Sequence, residues 1–298
     1  MRISRLLFPL LLSAALVGPA ALATSNAATA ATAAPVPTLV GIRAAHHPTY
    51  DRVVFDFTGG LPSTRSVRYV SQLIQDPSGL PLPIAGRAIL AVTMSPTNAH
   101  NDAGQVTAPG KIAFALPNVM TVVRSGDFEA VTSYGIGLAR KESFRVFTLR
   151  SPDRLVIDIN AAFPTVFKQV WLFNQKRILA NTEPFFTPVA RPVQPLTPAT
   201  GVMDRIFAGP TPTEYSSGLR ALLSRATGFA NLRISDGIAY VRMTGGCSSG
   251  GSTVTIAGEI MPSLRQFSTV DHVKIYDPSW RTENPTGQTD SIPECLEP

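Results

Sequence analysis

The chain has 298 residues, enough for a leader and two domains of ordinary size, and a formal net charge of +6. Only 15% of its residues are charged, and Lys and Arg are scattered singly instead of forming a basic stripe, which excludes a nucleic-acid-binding protein. No set of His and Cys residues has metal-ligand spacing and no dinucleotide-binding loop is complete, so neither a metal nor another cofactor is expected.

Residues 1–23 have the pattern of a secretory signal. Arg2 and Arg5 precede an apolar run over 6–17 that is too short to span a bilayer, and Ala-Leu-Ala at 21–23 offers a cleavage site. We therefore expect an exported protein, extracellular or associated with the cell wall; losing both arginines lowers its charge from +6 to +4. A retained anchor helix is the alternative. After cleavage no apolar run reaches about 18 residues, so no transmembrane span is expected.

An all-β sandwich is predicted for residues 38–162, after an Ala/Thr/Pro-rich linker over 24–37. Two of its strands share the pattern Asp-Arg-x-Val-x-Asp-x, at 51–57 and 153–159, and we interpret them as the opening and closing strands of one domain. Because side chains alternate along a strand, the apolar positions of both copies are predicted to face the core. These positions are Val53, Phe55, Phe57, Leu155, Ile157 and Ile159.

Turn residues divide the rest of this half into further short strands. They are predicted at 66–73, 88–94, 119–124 and 144–149. A polar surface loop is predicted over 98–110, and a hairpin turn at 151–153 leads into the closing strand. Gly135-Ile136-Gly137 lacks the third glycine of a dinucleotide loop and is interpreted as a turn.

From residue 165 to residue 298 the pattern changes to a compact mixed α/β domain. Strands are predicted at 170–173, 186–193, 229–234, 238–243 and 270–276, and helices at 198–207, 219–223 and 253–267. The first helix ends at Gly209-Pro210, as expected when Gly and then Pro follow the last turn. Ser235-Asp236-Gly237 predicts a hairpin turn.

The chain has two cysteines, Cys247 and Cys295. An even number of cysteines in an exported protein predicts a disulfide bond, which would tie down the Pro-rich C-terminal tail. Two unpaired thiols are the alternative. A metal site is disfavoured because no histidine lies near either cysteine at ligand spacing.

The N-terminal half resembles the AMIN-like domain of exported bacterial proteins, over about residues 38–160. The motifs that carry the resemblance are His47-Pro48-x-Tyr50-Asp51-Arg52-Val53-Val54-Phe55, Gly126-Asp127-Phe128-Glu129, Gly135-Ile136-Gly137-Leu138, Phe144-Arg145-Val146 and Pro152-Asp153-Arg154-Leu155-Val156-Ile157-Asp158. AMIN modules are non-catalytic β-sandwiches that localise proteins to the cell wall. The resemblance therefore implies attachment to peptidoglycan or its glycan.

The C-terminal half resembles the GerMN domain named from sporulation and spore-germination proteins, over most of residues 165–278. The motifs are Val170-Trp171-Leu172-Phe173, Pro188-Val189-Ala190-Arg191, Ile206-Phe207-Ala208-Gly209-Pro210-Thr211 with Glu214, Gly218-Leu219, Asp236-Gly237-Ile238-Ala239-Tyr240-Val241 and Val273-Lys274-Ile275. Such domains are compact α/β modules of envelope proteins, related to modules that assemble into rings. The resemblance implies binding to envelope proteins or self-assembly. The Gly/Ser-rich insertion at 245–252 departs from the pattern.

Two patterns are formally compatible with catalysis. Gly246-Cys247-Ser248-Ser249-Gly250 matches G-x-S-x-G, although the only later histidine, His272, lies on or beside a predicted strand. Asp127 and Glu129 flank Phe128 and point the same way on an extended chain, which would suit the paired carboxylates of a glycosidase. A secreted hydrolase acting on wall polymer is therefore the alternative function. His46 and His47 lack a third ligand, so a histidine packing beside Tyr50 is the simpler interpretation.

The combined prediction is a non-catalytic envelope protein, with Tyr50, Arg52 and Phe128 as the candidate wall-binding residues. Aromatic rings at Tyr50, Tyr69, Phe128 and Tyr134 would stack on sugars if the fold groups them at the surface, whereas the surrounding pattern favours a core position for Phe128. A scaffold that binds only proteins is a further alternative.

Overall fold

The computed structural model describes residues 35–298. The predicted secretory signal, residues 1–23, and residues 24–34 of the predicted linker lie outside this range. Within residues 35–298 none of the helices has the length and apolar character needed to cross a membrane.

The N-terminal half consists of two antiparallel sheets packed face to face. Its strands are Thr38–His47 (β1), Tyr50–Thr58 (β2), Thr64–Val70 (β3), Ala88–Ser95 (β4), Lys111–Ala113 (β5), Val119–Phe128 (β6), Val131–Leu138 (β7), Phe144–Leu149 (β8) and Arg154–Asn160 (β9). One sheet has the order β1-β2-β9-β8 and the other β3-β4-β7-β6-β5. The predicted all-β N-terminal half is confirmed.

The two copies of the repeated motif lie side by side at the centre of the first sheet. Strands β2 and β9 pair antiparallel, with Val53 opposite Ile157 and Phe55 opposite Leu155. All of the apolar positions predicted to face the core are buried, and they pack against the second sheet. The alternation of apolar and polar residues thus predicted correctly which face of each strand points to the core.

The first acid of the motif, Asp51, joins the two sheets. Its side chain is fully buried, and Oδ2 accepts hydrogen bonds from the backbone N–H groups of Asn118 (2.6 Å) and Val119 (2.8 Å) at the start of β6. Its Oδ1 lies 2.7 Å from Nδ1 of His46. A buried carboxylate needs several such partners to offset its desolvation. Here the two backbone N–H donors come from the opposite sheet, and His46 comes from the neighbouring strand β1.

The Gly135-Ile136-Gly137 segment is part of strand β7, so its interpretation as a turn was wrong. Both glycines face a chain segment that crosses the outer side of the sheet. A Cβ atom at Gly137 would lie 2.0 Å from the carbonyl oxygen of Ala85, and one at Gly135 would lie 2.6 Å from the side chain of Leu73. These glycines therefore allow close approach of the backbone and do not reverse its direction.

The C-terminal half contains two three-stranded sheets and short helices. Its elements are Val166–Asn174 (β10), Gln175–Leu179 (α1), Phe186–Val193 (β11), Pro198–Ala208 (α2), Pro212–Ser217 (α3), Leu219–Arg220 (β12), Ala226–Ser235 (β13), Ile238–Gly245 (β14), Ala257–Arg265 (α4) and His272–Tyr276 (β15). The sheets have the orders β11-β10-β12 and β13-β14-β15, with β14 and β15 parallel. Helices α2 and α4 pack on these sheets around one apolar core. The mixed α/β prediction is confirmed.

Most predicted elements of this half match, but the helix predicted over 219–223 was wrong. The helix lies earlier, as α3, where the Thr211 side chain and Glu214 form a reciprocal capping box. Gly218, with φ of 111°, ends this helix in the left-handed region, and Leu219 then pairs with Asn174 in a sheet.

Helix α4 covers the backbone of β10 with its own side chains. Successive outward N–H groups of β10 donate to one face of the helix: Gln169 to Oε1 of Gln266 (2.9 Å), Trp171 to Oγ of Ser263 (3.0 Å), and Phe173 to Oε1 of Glu259 (3.0 Å). Positions 259, 263 and 266 are spaced by four and three residues, so their side chains lie on one face of the helix. They contact alternate residues of β10, whose N–H groups point to the same side. The helix thus takes the place of a neighbouring strand.

The predicted disulfide bond is present between Cys247 and Cys295. It joins the loop after β14 to the C-terminal tail, in which Ser291 forms a parallel bridge with Lys274 of β15. The fully buried Lys274 donates from Nζ to the carbonyl oxygens of Asn284 (2.5 Å) and Thr286 (3.1 Å) in that tail. The tail is therefore part of the packed structure of this half.

Residues 35–298 form one compact unit, and helix α2 makes many of the contacts between its halves. Asp204 accepts from Nε of Arg87 (2.8 Å), and Arg205 donates to the carbonyl oxygens of Phe114 (2.9 Å) and Leu116. Lys111 donates from Nζ to the carbonyl oxygen of Phe207 (3.1 Å). Each of these contacts is either an ion pair or a hydrogen bond to a carbonyl oxygen. The contact between the halves at α2 is therefore polar.

Candidate functional site

The outer face of the β1-β2-β9-β8 sheet carries a group of arginine and aromatic side chains. Antiparallel register places Arg52 of β2 opposite Asp158 of β9, and Asp158 opposite Arg145 of β8. We call this group the arginine–aromatic face; it consists of His47, Tyr50, Arg52, Arg145 and Phe147.

Arg52 is held at the centre of this face. Its guanidinium binds Asp158 through two hydrogen bonds, Nε to Oδ1 (2.6 Å) and Nη2 to Oδ2 (2.8 Å). It also lies over the ring of Tyr50, 5.3 Å from the centroid, and over that of Phe147 at 5.4 Å. The hydrogen bonds to Asp158 raise the pKa of Arg52 although burial opposes this. Arg52 is therefore a fixed positive charge between two rings.

The partly buried Tyr50 and the exposed Arg145 form the two ends of the arginine–aromatic face. The Tyr50 ring stacks on His47 with centroids 4.6 Å apart, which confirms the packing expected for this histidine. Arg145 lies over the Phe147 ring at 4.7 Å and is exposed. In the described part of the chain no carboxylate lies within ion-pair distance of Arg145. Its donors are thus available to an external anion.

Phe128 lies apart from Tyr50 and Arg52. It is the last residue of β6 in the other sheet, and its side chain is 55% exposed, so the expected core position was wrong. The other two candidate aromatics, Tyr69 and Tyr134, do not belong to the arginine–aromatic face. Tyr134 is fully buried, and the hydroxyl of the partly buried Tyr69 donates to the carbonyl oxygen of Glu142 (2.6 Å).

Asp127 and Glu129 lie in different surroundings. Asp127 accepts hydrogen bonds from the backbone N–H of Ala99 (2.9 Å) and from Thr132 Oγ1 (2.8 Å), and lies 2.8 Å from His100 Nδ1. Burial opposes ionisation of Asp127, but these hydrogen bonds outweigh it and lower its pKa. A carboxylate held ionised in this way fixes the 98–110 loop and is a poor proton donor. Glu129 belongs to the β6–β7 turn, with φ of 49°.

Ser248 and His272 lie at opposite ends of strand β14. His272 is level with Ile238, the first residue of β14, whereas Ser248 follows Gly245, its last residue. Seven residues of strand separate these levels by roughly 23 Å. The Ser248 hydroxyl instead accepts from the N–H of Gly250 (3.1 Å) within its own loop. The G-x-S-x-G match therefore does not place a histidine beside its serine.

Metal-ligating side chains do not converge within the described residues. Among residues 35–298 no group of three or more His, Cys, Asp or Glu side chains is arranged to hold an ion. The His46 ring is hydrogen-bonded to Asp51, and the His47 ring stacks on Tyr50.

Sequence reasoning missed Phe147 and Arg145 as members of the arginine–aromatic face. The signal was present in the alternation of the predicted strand 144–149. Because this strand pairs with the closing strand, its outward positions 145 and 147 must lie beside Asp158 and Val156.

Comparison with family models agrees with both resemblances. Residues 37–161 match the model of the AMIN-like domain, and residues 170–276 match the model described as sporulation and spore germination, also named Germane. The order of the two domains is the one expected from the motifs. Searches of the curated proteins and of the solved structures each found no match to the chain.

Proposed function

We propose that this chain, an AMIN-like domain followed by a Germane domain, is an exported, non-catalytic protein that binds cell-wall peptidoglycan through its arginine–aromatic face. The two domains indicate an envelope or sporulation-related protein, and both are non-catalytic types. AMIN-like domains are generally associated with peptidoglycan, which supports this choice of ligand and an envelope location.

The observation that carries the proposal is the stacking of Arg52 and Arg145 on the rings of the face. Peptidoglycan presents sugar rings, whose C–H faces pack on aromatic rings, and carboxylates on its peptides. Arginine binds carboxylates with its planar fork, and a guanidinium already held on a ring loses less freedom on binding. Asp158 occupies the fork of Arg52, so we assign carboxylate binding to Arg145 and ring contact to Tyr50.

The Germane domain would then bind partner proteins or a second copy of the chain. In support of this, the outer side of its β13-β14-β15 sheet exposes aromatic rings next to arginines. Arg233 lies 3.7 Å from the Tyr240 centroid and Arg242 lies 5.1 Å from that of Trp280, whose side chain is 52% exposed. Trp, Tyr and Arg are the residues most enriched where protein interfaces gain their affinity.

The test is binding of residues 35–298 to purified peptidoglycan, with released sugar and peptide measured in the same samples. We expect binding without release, and affinity about tenfold lower in Tyr50→Ala and in Arg145→Ala, equivalent to about 1.4 kcal/mol each. Arg150→Ala is the matched control, because its side chain is 78% exposed and lies in the turn beyond the face.

Three outcomes would argue against this proposal. Equal binding by the wild type and both face variants would mean that another surface binds the wall. Release of sugar or peptide would favour the alternative function, a secreted hydrolase acting on wall polymer. Failure of the wild type to bind, together with self-association or capture of a defined envelope protein, would favour the scaffold.

A further inference from the structure

A cavity of about 640 Å³ lies between the two halves of the described chain. Strand β5 of the N-terminal half forms one wall, and the segment from the end of α2 through α3 to β12 forms the other. Its volume falls within the range typical of small-molecule sites, which often occur where two domains meet. The arginine–aromatic face lies on a different sheet, so this cavity is separate from the proposed wall-binding surface.

The walls of the cavity are fixed by hydrogen bonds and by a helix end. Lys111 of β5 donates to the carbonyl oxygen of Phe207, one of the free carbonyls at the C-terminal end of α2. Gly209, with φ of 87°, turns the chain there, and the Thr211–Glu214 capping box starts the next helix. The cavity is therefore a pre-formed feature of the fold.

Apolar side chains and two cations line the cavity. Pro109, Ile112 and Pro210 supply apolar surface, and Tyr215 adds a half-exposed ring. Lys111 and Arg220 are the charged residues of the lining, and Arg220 lies 3.7 Å from the centroid of the Tyr215 ring. The ring holds the guanidinium in place, as cation–π contacts do.

The nearby acidic residue does not neutralise these cations. Glu214 lies on α3 but turns to Arg191, which donates to Oε1 at 2.8 Å and to Oε2 at 2.5 Å. The backbone N–H of Thr211 also donates to Oε2 (2.8 Å). Among the described residues that line the cavity, none is a carboxylate. The cavity is therefore positive in charge and apolar in surface.

We infer that this cavity binds a small anionic molecule with an apolar body. Its acidic group, a carboxylate or a phosphate, is bound by Lys111 and Arg220, and its apolar part packs against Pro109, Ile112 and Tyr215. This function is independent of wall binding. Because each half supplies one cation, the ligand also bridges the halves and stabilises their contact by mass action.

Two fluorescent naphthylamines of the same shape test the inference on residues 35–298. One is 1-anilino-8-naphthalenesulfonate, which carries an anionic sulfonate, and the other is neutral N-phenyl-1-naphthylamine. We expect Lys111→Met and Arg220→Met each to weaken binding of the anionic probe at least fivefold and to leave the neutral probe unchanged. Tyr215→Ala should weaken both probes. Arg150→Met, a change to an exposed arginine outside the cavity, should weaken neither.

Competition identifies the acidic group. Dodecanoate displacing the probe from wild type assigns a carboxylate ligand, and dodecyl phosphate displacing it at lower concentration assigns a phosphate. Circular dichroism and urea midpoints show whether each variant folds. If Lys111→Met does not fold, the result for Arg220→Met decides the test. The inference is wrong if folded variants bind the anionic probe as tightly as wild type, or if neither competitor displaces it.

Discussion

Arg205 in the C-terminal half donates a hydrogen bond of 2.9 Å to the carbonyl oxygen of Phe114, 91 residues earlier in the N-terminal half. The Arg205 side chain is almost completely buried. Burial, and to a lesser degree the neighbouring Arg191, lower its pKa to about 9, so it remains charged at neutral pH. A buried charge without partners is very unfavourable, and here the carbonyl oxygens of the other half supply those partners. Arg205 thus couples the two halves, together with the Arg87–Asp204 and Lys111–Phe207 contacts.

We therefore expect Arg205→Met to destabilise the protein by about 3 kcal/mol, since it leaves the carbonyls of Phe114 and Leu116 buried without their donor. Urea unfolding at pH 7 measures the change. Arg150→Met, at an exposed arginine, is the control and should stay within about 0.5 kcal/mol of wild type. Equal midpoints for the two variants would show that Arg205 does not hold the halves together.

Glu259 should make stability depend on pH. Burial raises its pKa to about 8, although the N–H groups of Phe173 and Leu222 act in the opposite direction. Between its ordinary pKa of 4.5 and about 8, the folded state holds a proton that the unfolded state has lost. The contribution of Glu259 to stability is therefore full below pH 4.5 and declines as the pH rises through 8.

The variant Glu259→Gln isolates this effect, because glutamine keeps an oxygen acceptor for Phe173 and Leu222 but does not titrate. We expect the stability of wild type relative to this variant to fall between pH 5 and pH 8, as measured by urea unfolding in matched buffers. A difference that stays constant over this interval would mean that Glu259 has the same charge in both states.

Gly137→Ala should disrupt the packing between β7 and the segment that crosses it. The added Cβ would lie 2.0 Å from the carbonyl oxygen of Ala85, so the backbone must shift. We expect a loss of about 1–3 kcal/mol in thermal or urea unfolding. Gly110→Ala is the matched control, since its Cβ would meet only the side chain of Arg124, at 3.8 Å. Similar effects of both changes would contradict this account of the glycine.

The disulfide should stabilise the protein against unfolding. Its cysteines are separated by 48 residues, and on the chain-entropy model closing such a loop contributes about 4 kcal/mol. The double variant Cys247→Ser/Cys295→Ser should unfold at a correspondingly lower urea concentration. Reducing agent should lower the midpoint of wild type and leave that of the double variant unchanged. A reduced wild type as stable as the oxidised one would contradict the prediction.

The sequence predicted the fold class and the central strands because their alternation is regular. Strand β1 was missed since its pairing with β2 shifts register between Leu39 and Gly41, which interrupts the two-residue period. Strand β7 was missed because Gly135 and Gly137 resemble turn residues, and only their tertiary contacts, with Leu73 and Ala85 respectively, explain them. Local patterns carry no information about a segment that crosses the sheet from elsewhere.

The candidate site was predictable in part. Tyr50 and Arg52 follow one another on the outward positions of a single strand, so their proximity follows from the sequence. Phe147 and Arg145 required the register between β8 and β9, and the exposure of Phe128 required the position of the β6–β7 turn. The cavity at Lys111 and Arg220 depends on how two halves pack, which no pattern within either half specifies.

The covering of β10 by helix α4 limits how copies of this protein can join. An uncovered strand edge recruits strands from other molecules, and β10 has none of its N–H groups at 169, 171 and 173 left for this purpose. On the other border of the same sheet, Pro188 and Pro192 lie opposite Trp171 and Phe167, so their rings stand where outward donors would otherwise be. Addition of a foreign strand is therefore blocked along β10 and hindered along β11, so we expect any assembly of the Germane domain through this sheet to use side-chain surfaces.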